Sequence, residues 1–185
     1  MSECSWPSSD LMKLYHENEW SRISKDDQHI FEMLSLEGAQ AGLSWETVIQ
    51  KRDAYQQAFR QFDIEQCAQL TDEDLEEIRV TYNVIKHRGK IKSVRNNAIV
   101  AQRVQQEHGS LAEFFWSYVD NKPIINEWKT ESEMPAETDL SIKLSKDLKK
   151  LGFNFVGPKI VYSFMQSIGM IDDHIITCPH HTYNR

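Results

Sequence analysis

The 185-residue chain is short of cysteine, of positive charge and of long apolar runs, and each shortage excludes something. Three cysteines cannot make the disulfide framework of a small secreted domain, and the opening stretch MSECSWPSSD has no signal-peptide pattern, so a cytoplasmic protein is expected. No apolar run approaches the roughly 20 residues of a membrane span, so no membrane partner is expected. Val/Ile-rich runs and sustained apolar and polar alternation are missing, which argues against a sheet. There is no glycine-rich nucleotide loop, no Ser or Cys nucleophile setting, and no second carboxylate placed for a conventional glycosidase pair. A net charge of −7 argues at first sight against nucleic acid, whose phosphates are bound by Lys and Arg.

A chain of this length buries roughly 70% of its unfolded surface, so its core requires neither metal nor disulfide. With 40% hydrophobic and 26% charged residues, the composition is that of an ordinary globular protein. Apolar periodicity predicts helices over about 9–20, 26–40, 44–61, 63–70, 72–80, 86–107, 110–119, 139–151 and 158–168. Asp63 with Gln66 and Thr71 with Asp74 read as capping boxes, Gly109 and Gly152 as helix ends, and Pro158 after Gly157 as a helix start. The long connection is 120–139, with Pro123 and Pro135. The expectation is an all-α protein, monomeric, with one domain over 1–185 long enough for two helical lobes around one pocket. Charge is unevenly spread: acidic residues gather at 63–77 and 127–139, basic ones at 86–95 and 143–159. A local basic patch can steer a polyanion even on an acidic protein; the alternative is two solvated helix faces.

The stretch Phe31 to Trp45, FEMLSLEGAQAGLSW, organises the rest. Its apolar helix pattern breaks down around one carboxylate, Glu37, between small residues that leave room for something flat. A buried carboxylate is costly unless partnered, so Glu37 either bonds backbone amides where the helix frays at Gly38 or waits for a partner. Trp45 follows eight residues later behind Ser44, a good N-cap. One acid and one aromatic wall would make a pocket.

A second informative stretch is LKKLGFNFVGPKIVYSF, 148–164, where two helical patterns meet at Gly152 and Gly157. Phe153 and Phe155 would anchor the turn, Gly157 would let backbone approach a ligand, and the amides at the Pro158 helix start, with Lys159 beside them, would face a phosphate. Any helical hairpin needs such a turn, so the basic face at Lys143, Lys146, Lys149 and Lys150 is what strengthens the reading. Of the three cysteines, Cys67 reads as a small buried hydrophobe. Cys4 with His16, and His174 with Cys178, carry the two thiolates and two imidazoles of a tetrahedral zinc site joining the termini, although His180 and His181 are alternative ligands.

CSW at 4–6, YHENEW at 15–20, LEGAQAGLSW at 36–45, KHRGKI at 86–91, FFWSYV at 114–119, GFNFVGPKIVYSFMQ at 152–166 and the terminal DHIITC together resemble the DNA-3-methyladenine glycosylase I (Tag) family, in register over essentially the whole chain. The resemblance implies a helix-hairpin-helix glycosylase fold, hydrolytic release of 3-methyladenine from alkylated double-stranded DNA, and one structural zinc held by Cys4, His16, His174 and Cys178. By it Glu37 is the carboxylate that reads the extruded base and the catalytic candidate, Trp45 stacks on the base, and Tyr15 lines the pocket. Leu43 becomes a wedge in the duplex; the basic stretches and the hairpin turn, read from the residues, put Lys90, Gly157 and Lys159 on the DNA side. Three departures stand out: Met12 replaces a pocket Tyr, the Pro expected after Asp10 is missing, and Ser21 replaces a Gly.

The chemistry suits these residues. Methylation at N3 makes the base cationic and a good leaving group, so the enzyme must extrude it, select it and position a water. A carboxylate in an apolar pocket prefers a cationic base, and an indole adds about 0.5–2 kcal/mol of cation–π attraction. Asp172 and Asp173 lie about where many helix-hairpin-helix glycosylases keep a catalytic Asp, but beside His174 they read more simply as helix-end or zinc-supporting residues. The other classes are a non-catalytic binder of alkylated DNA and a zinc-stapled scaffold that binds protein through 63–77.

Overall fold

The computed structural model describes residues 3–185. Among them, ten α-helices follow in order: α1 Asp10–Asn18, α2 Asp27–Ala39, α3 Trp45–Ile49, α4 Arg52–Ala58, α5 Ile64–Ala68, α6 Asp72–Thr81, α7 Arg88–His108, α8 Leu111–Trp116, α9 Asp139–Leu151 and α10 Pro158–Ser167. Local chemistry sets most of the ends. Thr71 and Asp74 form a reciprocal capping box, Gly109 (φ 92) and Gly152 (φ 105) close α7 and α9, and Pro158 opens α10. Asp63 accepts from the Gln66 amide without a returning side-chain bond, so it is a cap rather than a box.

Two expectations about elements need correction. The helix expected over 44–61 is α3, a break at Lys51, α4, and a turn in which Arg60, Gln61 and Phe62 take φ of 56, 58 and 57. Its apolar stripe, Val48, Tyr55, Phe59 and Phe62, continues across the breaks and stays buried, so periodicity reads straight through them. The chain is also not purely helical. β1, Ile124–Ile125, pairs in parallel with β2, Ile171–Asp172, aligning Ile124 with Ile171 and Ile125 with Asp172. Two-residue strands show no alternation in sequence, yet this pair ties the long connection to the C-terminal segment.

Helix α2 is buried from Ile30 to Ala39, and α7 and α10 pack against it. Helices α9 and α10 pack together across the turn at 152–157, with Phe153 and Val156 buried. Phe155, expected to anchor alongside, is half-buried at φ 55, its ring 6.0 Å from that of His87. A Cβ on residue 38 would stand 3.3 Å from the Phe155 Cβ, so Gly38 is what lets this turn lie against α2. A small second cluster, Cys4, Ile175 and Cys178, packs with Trp6 and Trp128. No helix among the described residues is long and apolar enough to cross a membrane.

Candidate functional site

Helices α1, α2, α3 and α10, with Trp6, Trp20 and, from the long connection, Glu131 and Met134, surround a pocket of about 250 Å³. Tyr15 comes from α1, Glu37 from α2 and Trp45 from the first turn of α3; Trp6 and Trp20 extend the aromatic side, and Met134, Ser163 and Gln166 stand among the remaining lining residues. The Tyr15 and Trp45 rings lie 5.1 Å apart, and those of Trp6 and Trp20 5.0 Å apart. Ser44 caps α3 as expected, its Oγ accepting from the Thr47 amide at 3.2 Å, and so fixes where Trp45 begins. The indole N–H groups of Trp6 and Trp45 are buried without hydrogen-bond partners among the described residues.

Glu37 is only 4% exposed, and among the described residues no hydrogen bond or ion pair satisfies its carboxylate. The helix does not fray at Gly38: α2 continues to Ala39 and the Glu37 side chain caps nothing. Burial alone pushes its carboxyl up to about 8. Burial, then the neighbouring Glu37, likewise raises the Tyr15 phenol well above its usual range. Of the two readings of this carboxylate, the geometry gives the unpartnered one. Beyond Glu37, Gly42 (φ 76) turns the chain so that Leu43 is 42% exposed. Leu43, Glu37, Gln40 and Lys159 share a groove next to the pocket. Gly157 has open space where a Cβ would stand.

Lys90 is different from its expected role on the DNA side. Its side chain is buried and its ammonium donates to the carbonyls of Ala39, at 3.0 Å, and Ala41, at 2.6 Å. Those carbonyls lie at and just past the end of α2 and lack intrahelical donors, so the cation braces the loop that carries Leu43. A second cross-brace, unforeseen in the sequence, ties the pocket helices together. Arg52 on α4 makes a bidentate pair with Glu19, just after α1, at 2.7 and 2.8 Å, and meets Glu32 on α2 at 2.8 Å. Burial pushes the Glu19 carboxyl up, but its bonds from His29 and Arg52 outweigh that and hold it at about 2.

Next to Tyr15 on α1, His16 points about 100° away, as consecutive helical residues must. Its imidazole joins Cys4 and Cys178 in a buried cluster whose donor atoms all lie within 4.8 Å of one another. His174 is adjacent rather than within this trio: its ring centroid is 4.7 Å from that of His16, its Nε2 is 3.4 Å from the His16 carbonyl, and its Nδ1 faces Asp172 at 2.8 Å. Both ring nitrogens of His181 are engaged, by the Asn126 carbonyl and the Tyr183 amide. The His180 ring lies 5.3 Å from that of His16. Burial raises the Cys4 thiol to about 12 and lowers His16 to about 4. A neutral imidazole beside two thiols is a donor set suited to a thiophilic metal.

Asp172 and Asp173 are buried away from the pocket. Met12 is buried and does not line the pocket. Ser21 adopts φ 60 and leaves its buried hydroxyl unpartnered, which explains why glycine is the residue expected there. The sequence reading did not single out Trp6, Trp20, Met134 or Gln166 as pocket residues; Trp6, Trp20 and Gln166 fall inside the motifs CSW, YHENEW and SFMQ, which was the available signal.

The sequence model of the methyladenine glycosylase family matches residues 6–181. DNA-3-methyladenine glycosylase 1 of Escherichia coli strain K12 is 43% identical over 179 residues, 96% of this chain and 96% of that protein. A crystal structure of 3-methyladenine DNA glycosylase I superposes with a TM-score of 0.94 at 42% identity, covering 97% of this chain and all (100%) of that one. A Tyr-to-Phe variant of 3-methyladenine DNA glycosylase I, in complex with 3-methyladenine, superposes equally well, with a TM-score of 0.94 at 35% identity and 98% coverage of each chain. The chain therefore belongs to the methyladenine glycosylase family.

Proposed function

We propose that the protein is a monofunctional DNA glycosylase of base-excision repair, one domain over 1–185, which extrudes and hydrolytically releases 3-methyladenine from alkylated duplex DNA. The observation that carries the reading is Glu37, a buried carboxylate without a partner in an aromatic pocket. An empty pocket of this kind is unfavourable to an anion; a flat cation entering it supplies the missing counter-charge. A base methylated at N3 is such a cation, and neutral bases gain nothing comparable. Trp45 offers a face for stacking, and Tyr15 closes the pocket beside it. The positive base is already a competent leaving group, so the residues hold and select it rather than protonate it, while the pocket orients the sugar toward water.

DNA is held outside the pocket. Leu43, exposed on the Gly42 turn, fills the space left by the extruded base, and the α9–α10 pair serves as a helix-hairpin-helix grip, with the first amides of α10, Gly157 and Lys159 on phosphate. Cys4, His16 and Cys178 would hold a zinc ion, with the adjacent His174, whose Nδ1 is bonded to Asp172, as the fourth ligand. When bound, it supplies a structural crosslink between the termini and takes no part in the reaction. Chromatography of bases released from methylated duplex DNA tests the proposal: 3-methyladenine should appear in proportion to enzyme and time. Binding of the same DNA with no base released would instead make the protein a non-catalytic binder.

A further inference from the structure

Glu37 explains preference for a cation, but 3-methyladenine and 3-methylguanine are both cations in DNA, so charge does not separate them. What differs is polarity at the six position: adenine presents an amino donor there, guanine a carbonyl acceptor. Glu37 is ambivalent on this point, because a carboxyl that titrates near 8 can accept a hydrogen bond when ionised and donate one when protonated. A residue of fixed polarity is needed, and the structure contains one.

Gln166 lines the pocket and is 8% exposed. Its Nε2 donates to Asp173 Oδ2 at 2.8 Å and contacts Met134 Sδ at 3.5 Å. Asp173 is fully buried and also accepts from Asn126 Nδ2 and Trp128 Nε1, each at 2.7 Å, and from the Tyr162 hydroxyl. Surrounded by donors, this carboxylate accepts only, so the NH₂ end of the Gln166 amide must face it. Turning the amide over would set Oε1 against a buried carboxylate oxygen. With both amide hydrogens committed, the end left for the pocket is Oε1, and no hydrogen bond among the described residues uses it. Asp173, which has no place in the pocket itself, thereby acquires a role as the positioning residue that fixes a neighbour.

We propose that Gln166 is the selectivity residue that distinguishes methylated adenine from methylated guanine, presenting Oε1 as a fixed acceptor that bonds the amino group of the extruded base and repels a carbonyl. An amino group has two hydrogens, so Glu37 and Gln166 can each take one. The proposal rests on the base-excision reading above, and the test separates the two.

DNA treated with a methylating agent carries both lesions, so one digest gives both release rates. The unaltered protein should release 3-methyladenine at least tenfold faster than 3-methylguanine. Gln166→Met keeps length and an apolar fit beside Met134 while removing the acceptor; Gln166→Asn keeps the amide but withdraws it. Each variant, once shown to be folded by circular dichroism and to bind undamaged duplex normally, should lose at least tenfold of that ratio. A residue that merely supports the wall would lower both rates together, and a folded variant with the parent ratio overturns the proposal. No release of either base by the parent protein sinks the base-excision reading instead. Competition on the unaltered protein requires no variant: free 3-methyladenine should bind at least tenfold more tightly than 3-methylhypoxanthine, which has a carbonyl in place of the amino group. Equal binding overturns the assignment of Gln166.

Discussion

Replacing Glu37 by Gln removes the charge and leaves shape and part of the hydrogen bonding. The magnitude follows from two opposing terms. A unit charge pair at about 4 Å is worth about 4 kcal/mol at an effective dielectric constant of 20. Against this, a carboxyl titrating at about 8 must lose its proton to meet the cation, which at pH 7 costs about 1.4 kcal/mol. The remainder, about 2.6 kcal/mol, corresponds to roughly 100-fold in the rate of excision by free enzyme. The pH dependence is the sharper test. The ionised fraction falls about tenfold per pH unit below 8, so kcat/KM for the parent protein should fall with it, whereas Glu37→Gln should be flat over that range. Stability runs the other way. A carboxyl raised in the folded state stabilises fully below its unfolded value near 4.5, and that contribution is lost as pH rises through 8. Glu37→Gln should therefore leave the melting temperature of free protein little changed near pH 4.5 and raise it progressively up to about pH 8, with most of that rise already present at pH 7. Single-turnover excision on one duplex from pH 6 to 9, beside thermal melts at the same values, measures both. A folded Glu37→Gln protein as fast as the parent, or with the same pH profile, would falsify the role given to the charge.

The metal site predicts about one zinc per purified chain by elemental analysis, and Cys178→Ala should lower both metal content and melting temperature; full stability after exhaustive chelation would remove the structural role. The two lysines should separate cleanly in salt titrations of duplex binding. Lys159→Ala should reduce the slope by about one phosphate contact. Lys90→Met should leave the slope unchanged but slow excision, because it frees two carbonyls of the loop that positions Leu43. Ser21→Gly should raise stability by about 1–2 kcal/mol, since it relieves a left-handed residue and deletes an unpartnered buried hydroxyl. A lower melting temperature for that variant would show that Ser21 has a partner unseen in the fold.

Helix ends were legible in the sequence because capping is local: Thr71 and Asp74, Ser44, Gly109, Gly152 and Pro158 act on residues within one turn of themselves. The apolar stripe of α2 was legible for the same reason, and with it the oddity of Glu37. Lys90 shows where locality stops. Nothing near KHRGKI says whether that cation faces solvent or reaches carbonyls 49 and 51 residues earlier, and a charge run is equally at home in either setting. The Arg52 brace is non-local in the same way, joining Glu19 and Glu32 across separations of 33 and 20 residues. The breaks within 44–61 escaped because the buried stripe runs through them, and β1 and β2 because two residues hold no period. Gln166 was visible only as part of a motif; its meaning depends on Asp173, seven residues on, and on three donors from elsewhere in the chain.

These long-range contacts share a purpose that bears on how the pocket stays open. An unpartnered carboxylate and aromatic walls tend toward collapse, since closing the gap would bury more apolar surface. Several of the elements around the pocket are instead held from behind: α1 and α2 by Arg52, the turn after α2 by Lys90, and Gln166 on α10 by Asp173. The cluster of Cys4, His16 and Cys178 completes the set. Trp6, an aromatic wall of the pocket, also packs on the Cys4 and Cys178 cluster and lies 5.4 Å from the His16 ring. Tyr15 and His16 are adjacent on one short helix. Anything that loosens Cys4 and Cys178 therefore moves a pocket wall as well as the termini, so a site with no part in the chemistry still governs the shape in which the base is held.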